Sequence, residues 1–83
     1  MYTVYVIQNS DGILYKGYTS NLQKRILEHN SVRGKWTSAR APWNVVYKEE
    51  FASKSDALKR EKFLKSGKGR EFLKRVSKKI LIG

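Results

Sequence analysis

Residues 2–29 read YTVYVIQNSDGILYKGYTSNLQKRILEHN, and the fold follows from this stretch. Residues 2–8 (YTVYVIQ) are β-branched and aromatic, a composition that suits a strand. Asn9, Ser10, Asp11 and Gly12 are turn formers, and residues 13–19 (ILYKGYT) return as a second strand, so the segment predicts a β-hairpin. A turn centred on Ser10 sets Tyr5 opposite Tyr15 on one face; a one-residue slip separates them. Ser20 or Asn21 then caps a helix running to about Ser31. Tyr5, Tyr15 and Arg25 recur about ten positions apart, and His29 follows Arg25 by one helical turn. A purely structural hairpin needs neither two tyrosines nor a cation on the packing side of the next helix. A site that handles a phosphodiester would use all four.

Outward from this segment, residues 32–42 (VRGKWTSARAP) read as a loop holding Gly34, the only proline (Pro42) and the cations Arg33, Lys35 and Arg40. A third strand is predicted over 43–51 (WNVVYKEEF). Ser53 or Ser55 caps a second helix, with Asp56 in its first turn where the helix dipole favours an anion. Gly67 is expected to end that helix and Gly69 to precede a third over 70–80. The order is ββαβαα. It predicts one small α+β domain over residues 1–83, a three-stranded antiparallel sheet with flanking helices.

Composition narrows the function. Eighty-three residues lie near the lower end of what supports a core without staples. The absence of cysteine excludes disulfides and thiolate metal sites and fits a reducing, cytoplasmic setting. No apolar run reaches the roughly 18 residues of a membrane span, and no signal-peptide pattern opens the chain. The net charge is +11. Residues 1–53 hold seven Lys/Arg against four Asp/Glu (+3), and residues 54–83 hold eleven against three (+8). A field concentrated in this way attracts polyanions such as DNA. A membrane-surface helix fits less well, because the cations are interleaved with acids in capped helices.

Helical periodicity isolates the residues that break the structural pattern. Leu22, Ile26 and His29 share one stripe of the first helix, with Arg25 at its edge. In the second helix Ala57, Leu58 and Leu64 mark the apolar stripe, and Glu61 falls in its middle. A carboxylate facing inward requires a cation, a metal or hydrogen bonds. A buried salt bridge with Arg25 or Lys16 would satisfy Glu61, a snorkelling stem would account for Arg25, and packing alone would account for His29. The five residues Tyr5, Tyr15, Arg25, His29 and Glu61 are expected on one side of the sheet. Trp36 and Arg40, with Lys35, form a candidate stacking and phosphate-clamping loop, while Trp43 begins a strand and is expected to seal the core. Lys65-Ser66-Gly67-Lys68-Gly69-Arg70 resembles a phosphate-binding turn at a helix start, although it lacks the spacing of a Walker loop.

Taken in order, these residues resemble the GIY-YIG nuclease superfamily, and specifically its small stand-alone single-domain members. The first signature triplet corresponds to Thr3-Val4-Tyr5 and the second to Tyr15-Lys16-Gly17, with Thr3 replacing glycine and Lys16 replacing an apolar residue. Gly17-Tyr18-Thr19-Ser20-Asn21-Leu22, Arg25 and His29-Asn30 resemble the continuation of the motif. The stretch from Lys35 to Trp43 and Ala57-Leu58-Lys59-Arg60-Glu61 through Arg70 are similar to the pattern of the small members.

The resemblance implies DNA cleavage by one-metal phosphodiester hydrolysis with Mg²⁺ or Mn²⁺, in the setting of DNA repair or recombination. Glu61 would be the sole protein ligand to the metal, which suits an ion that keeps its waters. Tyr5 would be the general base, as a phenolate stabilised by its electropositive site. Arg25 would bind the scissile phosphate, and Tyr15 and His29 would orient water or phosphate. Lys16, Lys35, Trp36, Arg40, Lys65, Lys68 and Arg70 are the expected nucleic-acid contacts. Many nucleases of the family carry an asparagine after the metal-ligand glutamate; here none follows Asn44. A separate DNA-recognition domain does not fit in 83 residues, so specificity is expected from DNA structure (branched or damaged) or from a protein partner. A non-catalytic nucleic-acid-binding module on the same fold is the alternative.

Overall fold

The computed structural model describes residues 1–31 and 36–80; for Ser38 and residues 77–80 only the backbone is described. Strands β1 (Tyr2–Asn9), β2 (Leu14–Thr19) and β3 (Trp43–Phe51) form one antiparallel sheet in the order β2-β1-β3. The helices are α1 (Leu22–Asn30), α2 (Lys54–Leu64) and α3 (Gly67–Ile80), and a single 3₁₀ turn (Ser38–Arg40) precedes β3. No helix among the described residues is long and apolar enough to cross a membrane.

The central strand explains why 2–8 is almost continuously apolar: it is covered on both faces. Val4 and Val6 pack with Ala57, Leu64 and Leu73 on the side of α2 and α3. Tyr5 and Ile7 pack with Trp43, Leu22 and Ile26 on the side of α1. A bulge on β3 adds to the first layer. Val6 pairs with Tyr47 but Ile7 with Val45, so the consecutive residues Val46 and Tyr47 both join the α2–α3 cluster. Leu58, expected in the apolar stripe of α2, is instead exposed; Ala57 and Leu64 are the buried members.

The hairpin register differs from the expected one. Tyr5 pairs with Gly17, and Tyr15 pairs with Ile7. The turn is a three-residue loop, not one centred on Ser10. Asn9 and Ile13 face each other, the Asn9 side-chain oxygen accepts from the N–H groups of Asp11 and Ile13, and Gly12 sits at φ +84°. That left-handed residue closes a type I turn with a bulge, the usual three-residue hairpin solution. Tyr5 and Tyr15 remain on one face as diagonal neighbours, with ring centroids 6.4 Å apart.

Helix starts follow the capping residues. Asn21 Oδ1 accepts from Lys24 N–H, and Ser53 Oγ accepts from Asp56 N–H. The α2–α3 junction departs from the sequence expectation. Helix α2 already ends at Leu64, and Ser66 caps α3, its Oγ accepting from Gly69 N–H at 3.1 Å. Gly67 and Gly69 therefore lie inside α3 rather than between helices. Gly69 is there for close approach: a Cβ would stand 1.9 Å from the Phe63 carbonyl oxygen, whereas one on Gly67 meets nothing within 4 Å. Gly69→Ala should lower stability by about 2 kcal/mol or more, and Gly67→Ala should leave it unchanged or slightly higher. Urea denaturation of both variants checks this, and equal effects would contradict the packing assigned to the junction.

Candidate active site

Tyr5 is almost fully buried, 1% exposed, yet its hydroxyl stands on the α1 face of the sheet, where α1 supplies its partner. His29, 3% exposed, meets the Tyr5 hydroxyl through Nε2 at 2.7 Å. Tyr15 packs edge-on against the His29 ring at a centroid distance of 4.8 Å. Gly17 makes the arrangement possible. A Cβ there would lie 2.8 Å from the Tyr5 hydroxyl oxygen and 3.3 Å from Tyr15 Cε1. Asn30 anchors the end of α1: its Oδ1 accepts from Trp43 N–H at 2.7 Å and its Nδ2 donates to Trp43 O at 3.4 Å. Neither Gly17 nor Asn30 was expected to position the site. Gly17 could have been recognised only with the register in hand, since its cross-strand partner is Tyr5.

Arg25 lies beside this pair with its side chain 43% exposed, and its Nη1 donates to Glu28 at 3.1 Å. An exposed i,i+3 ion pair of this kind contributes little, so the guanidinium can exchange Glu28 for a phosphate at small cost. Arg25 opens onto a polar groove lined by Tyr18, Thr19, Asn21, Lys24 and Glu28. Lys24 is a groove cation that pattern reading passed over, because it lies off the apolar stripe.

Glu61 reaches the site from the other layer. Its helix packs through Ala57 and Leu64 on the Val4–Val6 face, so the five residues do not lie on one side of the sheet. Glu61 is not buried in the core either. Its side chain is 16% exposed, and it pairs with the exposed Lys65, an i,i+4 contact at 3.6 Å, rather than with Arg25 or Lys16. It is still close enough for its charge to act on Tyr5. Among the described residues no three His, Asp or Glu side chains cluster as a metal cage. A carboxylate that among the described residues has one long ion pair, to the exposed Lys65, fits an ion whose remaining shell is water and phosphate oxygen.

Burial pushes the Tyr5 phenol above its ordinary value, and Tyr15 and Glu61 add to the rise; the Arg25 hydrogen bond and charge oppose it without prevailing. The free protein therefore holds a neutral phenol, not the expected stabilised phenolate, because desolvation outweighs the adjacent cation. The Arg25 guanidinium is held still more firmly protonated, chiefly by Tyr5. His29 is shifted down by burial and by Arg25, with Glu28 opposing. Lys16 is shifted down by burial, then by Arg70 and Lys65, which marks a crowd of cations where β2 meets the α2–α3 junction. Lys68 and Arg70 are exposed on the first turn of α3. Lys35 lies outside the described residues.

Two tyrosines on the hairpin meet a histidine and an arginine of the next helix on one face of the sheet, and the charge of Glu61 acts on Tyr5 from the later helix. The sequence profile of the GIY-YIG catalytic domain matches residues 1–75. The chain belongs to the GIY-YIG family. GIY-YIG domains form a nuclease superfamily whose enzymes act on nucleic acid and generally use divalent metal ions. A UPF0213 protein of Staphylococcus saprophyticus subsp. saprophyticus is 43% identical over 75 residues, covering 89% of this chain and 92% of that protein. A UPF0213 protein of Halobacterium salinarum is 48% identical over 62 residues, covering 74% and 80%. The solution NMR structure of the UPF0213 protein BH0048 from Bacillus halodurans superposes with a TM-score of 0.56 at 35% identity, covering 92% of this chain and 85% of that one. The α+β architecture and the family membership both stand.

His29 is the only histidine, so one titration near neutrality isolates it. Its folded-state value lies below the ordinary 6.5, so the fold favours the neutral ring. The stability it contributes is fully present above about pH 6.5 and is lost as pH falls through the lowered value. Urea midpoints should fall from about pH 7 to about pH 5 in the wild type, and fall less in His29→Gln, whose amide can still meet the Tyr5 hydroxyl. An equal fall in both proteins would contradict a buried neutral His29.

Proposed function

We propose that this chain is a metal-dependent DNA endonuclease whose catalytic residues are Tyr5, Tyr15, Arg25, His29 and Glu61. The observation that carries this reading is the buried 2.7 Å contact between Tyr5 and His29 beside an arginine shared between the Tyr5 hydroxyl and an exposed carboxylate. Arg25 takes the scissile phosphate and stabilises the charge that develops on its oxygens. His29, neutral at pH 7, accepts the Tyr5 proton through Nε2 as Tyr5 takes a proton from the attacking water. Tyr15, packed on the imidazole, keeps the ring aligned. Glu61 would hold one Mg²⁺ or Mn²⁺ ion, which when bound supplies positive charge at the phosphate and a more acidic water.

Lys16, Lys65, Lys68 and Arg70 contact the flanking phosphates. Burial lowers Lys16 first and repulsion from Arg70 and Lys65 adds to it, and a polyanion seated among these cations relieves the repulsive part. Contacts of this type read backbone and shape rather than base edges. Branched or damaged DNA, met in repair or recombination, is the matching substrate, with a protein partner adding specificity. This reading places the single cysteine-free domain of residues 1–83 in the cytoplasm. One observation favours a non-catalytic nucleic-acid-binding module instead: no asparagine follows Asn44, where many family nucleases have one after the metal ligand.

With supercoiled and branched DNA in Mg²⁺, Arg25→Ala and Glu61→Ala should each slow cleavage by roughly 100-fold or more. Glu61→Ala should change unfolding stability by no more than about 1 kcal/mol, since among the described residues its carboxylate has one ion pair, a long one to the exposed Lys65. EDTA should abolish turnover. Cleavage that survives either substitution refutes the proposed site, and salt-sensitive binding with no cleavage by the wild type establishes the binding module.

A further inference from the structure

We infer that Trp36 and Arg40 form a stacking plate for an unpaired nucleobase, so the preferred substrate carries a single-stranded nucleotide at the site. The inference rests on the reading of this face as a nucleic-acid site, though not on cleavage. Trp43 already seals the core: it is 3% exposed, and its indole N–H donates to the Thr37 carbonyl at 2.6 Å. Trp36 is not needed for that purpose and remains 47% exposed. Its ring stands 6.4 Å from Tyr15 and 6.1 Å from Trp43, both at shallow tilts near one third of a right angle (33° and 34°). These rings form a stepped aromatic row from the buried Tyr15–His29 contact out to solvent.

Arg40 is pinned on this row. Its guanidinium lies 4.0 Å from the Trp36 ring centroid, and Nη1 donates to the Trp36 carbonyl at 2.9 Å. Its own carbonyl accepts from Asn9 Nδ2 at 3.1 Å, which ties the plate to the hairpin that carries Tyr5. Among the described residues Arg40 makes no ion pair. An apolar partner would bury that charge uncompensated, and an acidic peptide would leave the indole unused. A nucleotide offers a ring and a phosphate together. In a duplex the base faces are already stacked on each other, so a face free to meet Trp36 belongs to an unpaired base.

Two labelled DNAs test this, a blunt duplex and the same duplex with a short single-stranded gap, titrated in EDTA so that no cleavage intervenes. The wild type should bind the gapped DNA roughly tenfold more tightly, the scale of one base–aromatic stack. Trp36→Ala should lose that preference while keeping duplex affinity within about twofold, and Trp36→Phe should retain most of it. Trp36→Leu, which keeps apolar volume without a ring, should lose it too, and emission from Trp43 verifies that each variant is folded. No preference in the wild type, or a preference that survives in folded Trp36→Ala and Trp36→Leu, overturns the plate. The expected preference without any cleavage in Mg²⁺ supports the plate and overturns only the nuclease reading.

Discussion

The Tyr5 hydroxyl occupies space that a side chain at position 17 would take, and it meets His29 Nε2 at 2.7 Å. The rest of the site depends on this contact. It brings a phenol and an imidazole together away from water, where desolvation keeps the first protonated and the second neutral. The pair is complementary: one group holds a proton that the other can accept. Arg25, which acts on both groups, remains half exposed and can turn toward a phosphate.

The sheet sets the geometry. Its middle strand is buried on both faces, so alternate β1 residues serve two layers: Val4 and Val6 hold the α2–α3 helices, and Tyr5 and Ile7 hold α1. The catalytic candidates are thereby divided between layers, with Glu61 arriving on α2 and the others on the hairpin and α1. Both supports are close packed, through Gly17 on one side and Gly69 on the other. In both places the required feature is the absence of a Cβ.

Much of this was legible in the residues. Strand and helix types, the Asn21 and Ser53 caps, the buried Trp43 and the inward stripe of α1 all follow from local propensity and periodicity. Three features did not, each for a physical reason. The hairpin register turned on whether Gly12 would adopt the left-handed conformation that shifts the turn centre past Ser10. The glycines after α2 look like helix breakers in sequence, but Gly69 lies within α3 because two helices touch there. The family resemblance implies a Tyr5 phenolate, yet the balance of charge against desolvation depends on the burial of the hydroxyl, which only the packed structure gives. Glu61 stands out in sequence as a carboxylate within the apolar stripe of its helix; its pairing with Lys65 and its place in the opposite layer depend on tertiary packing that no local pattern encodes.

In the proposed nuclease, Tyr5 and Glu61, carried by different layers, act on the same phosphodiester. A double-mutant cycle on single-turnover DNA cleavage tests it most directly, using Tyr5→Phe, Glu61→Gln and the combined variant in saturating Mg²⁺. Residues of one catalytic unit are strongly non-additive. The double variant should be no slower than the slower single variant. Losses that multiply, or a single substitution that leaves the rate intact, would contradict it.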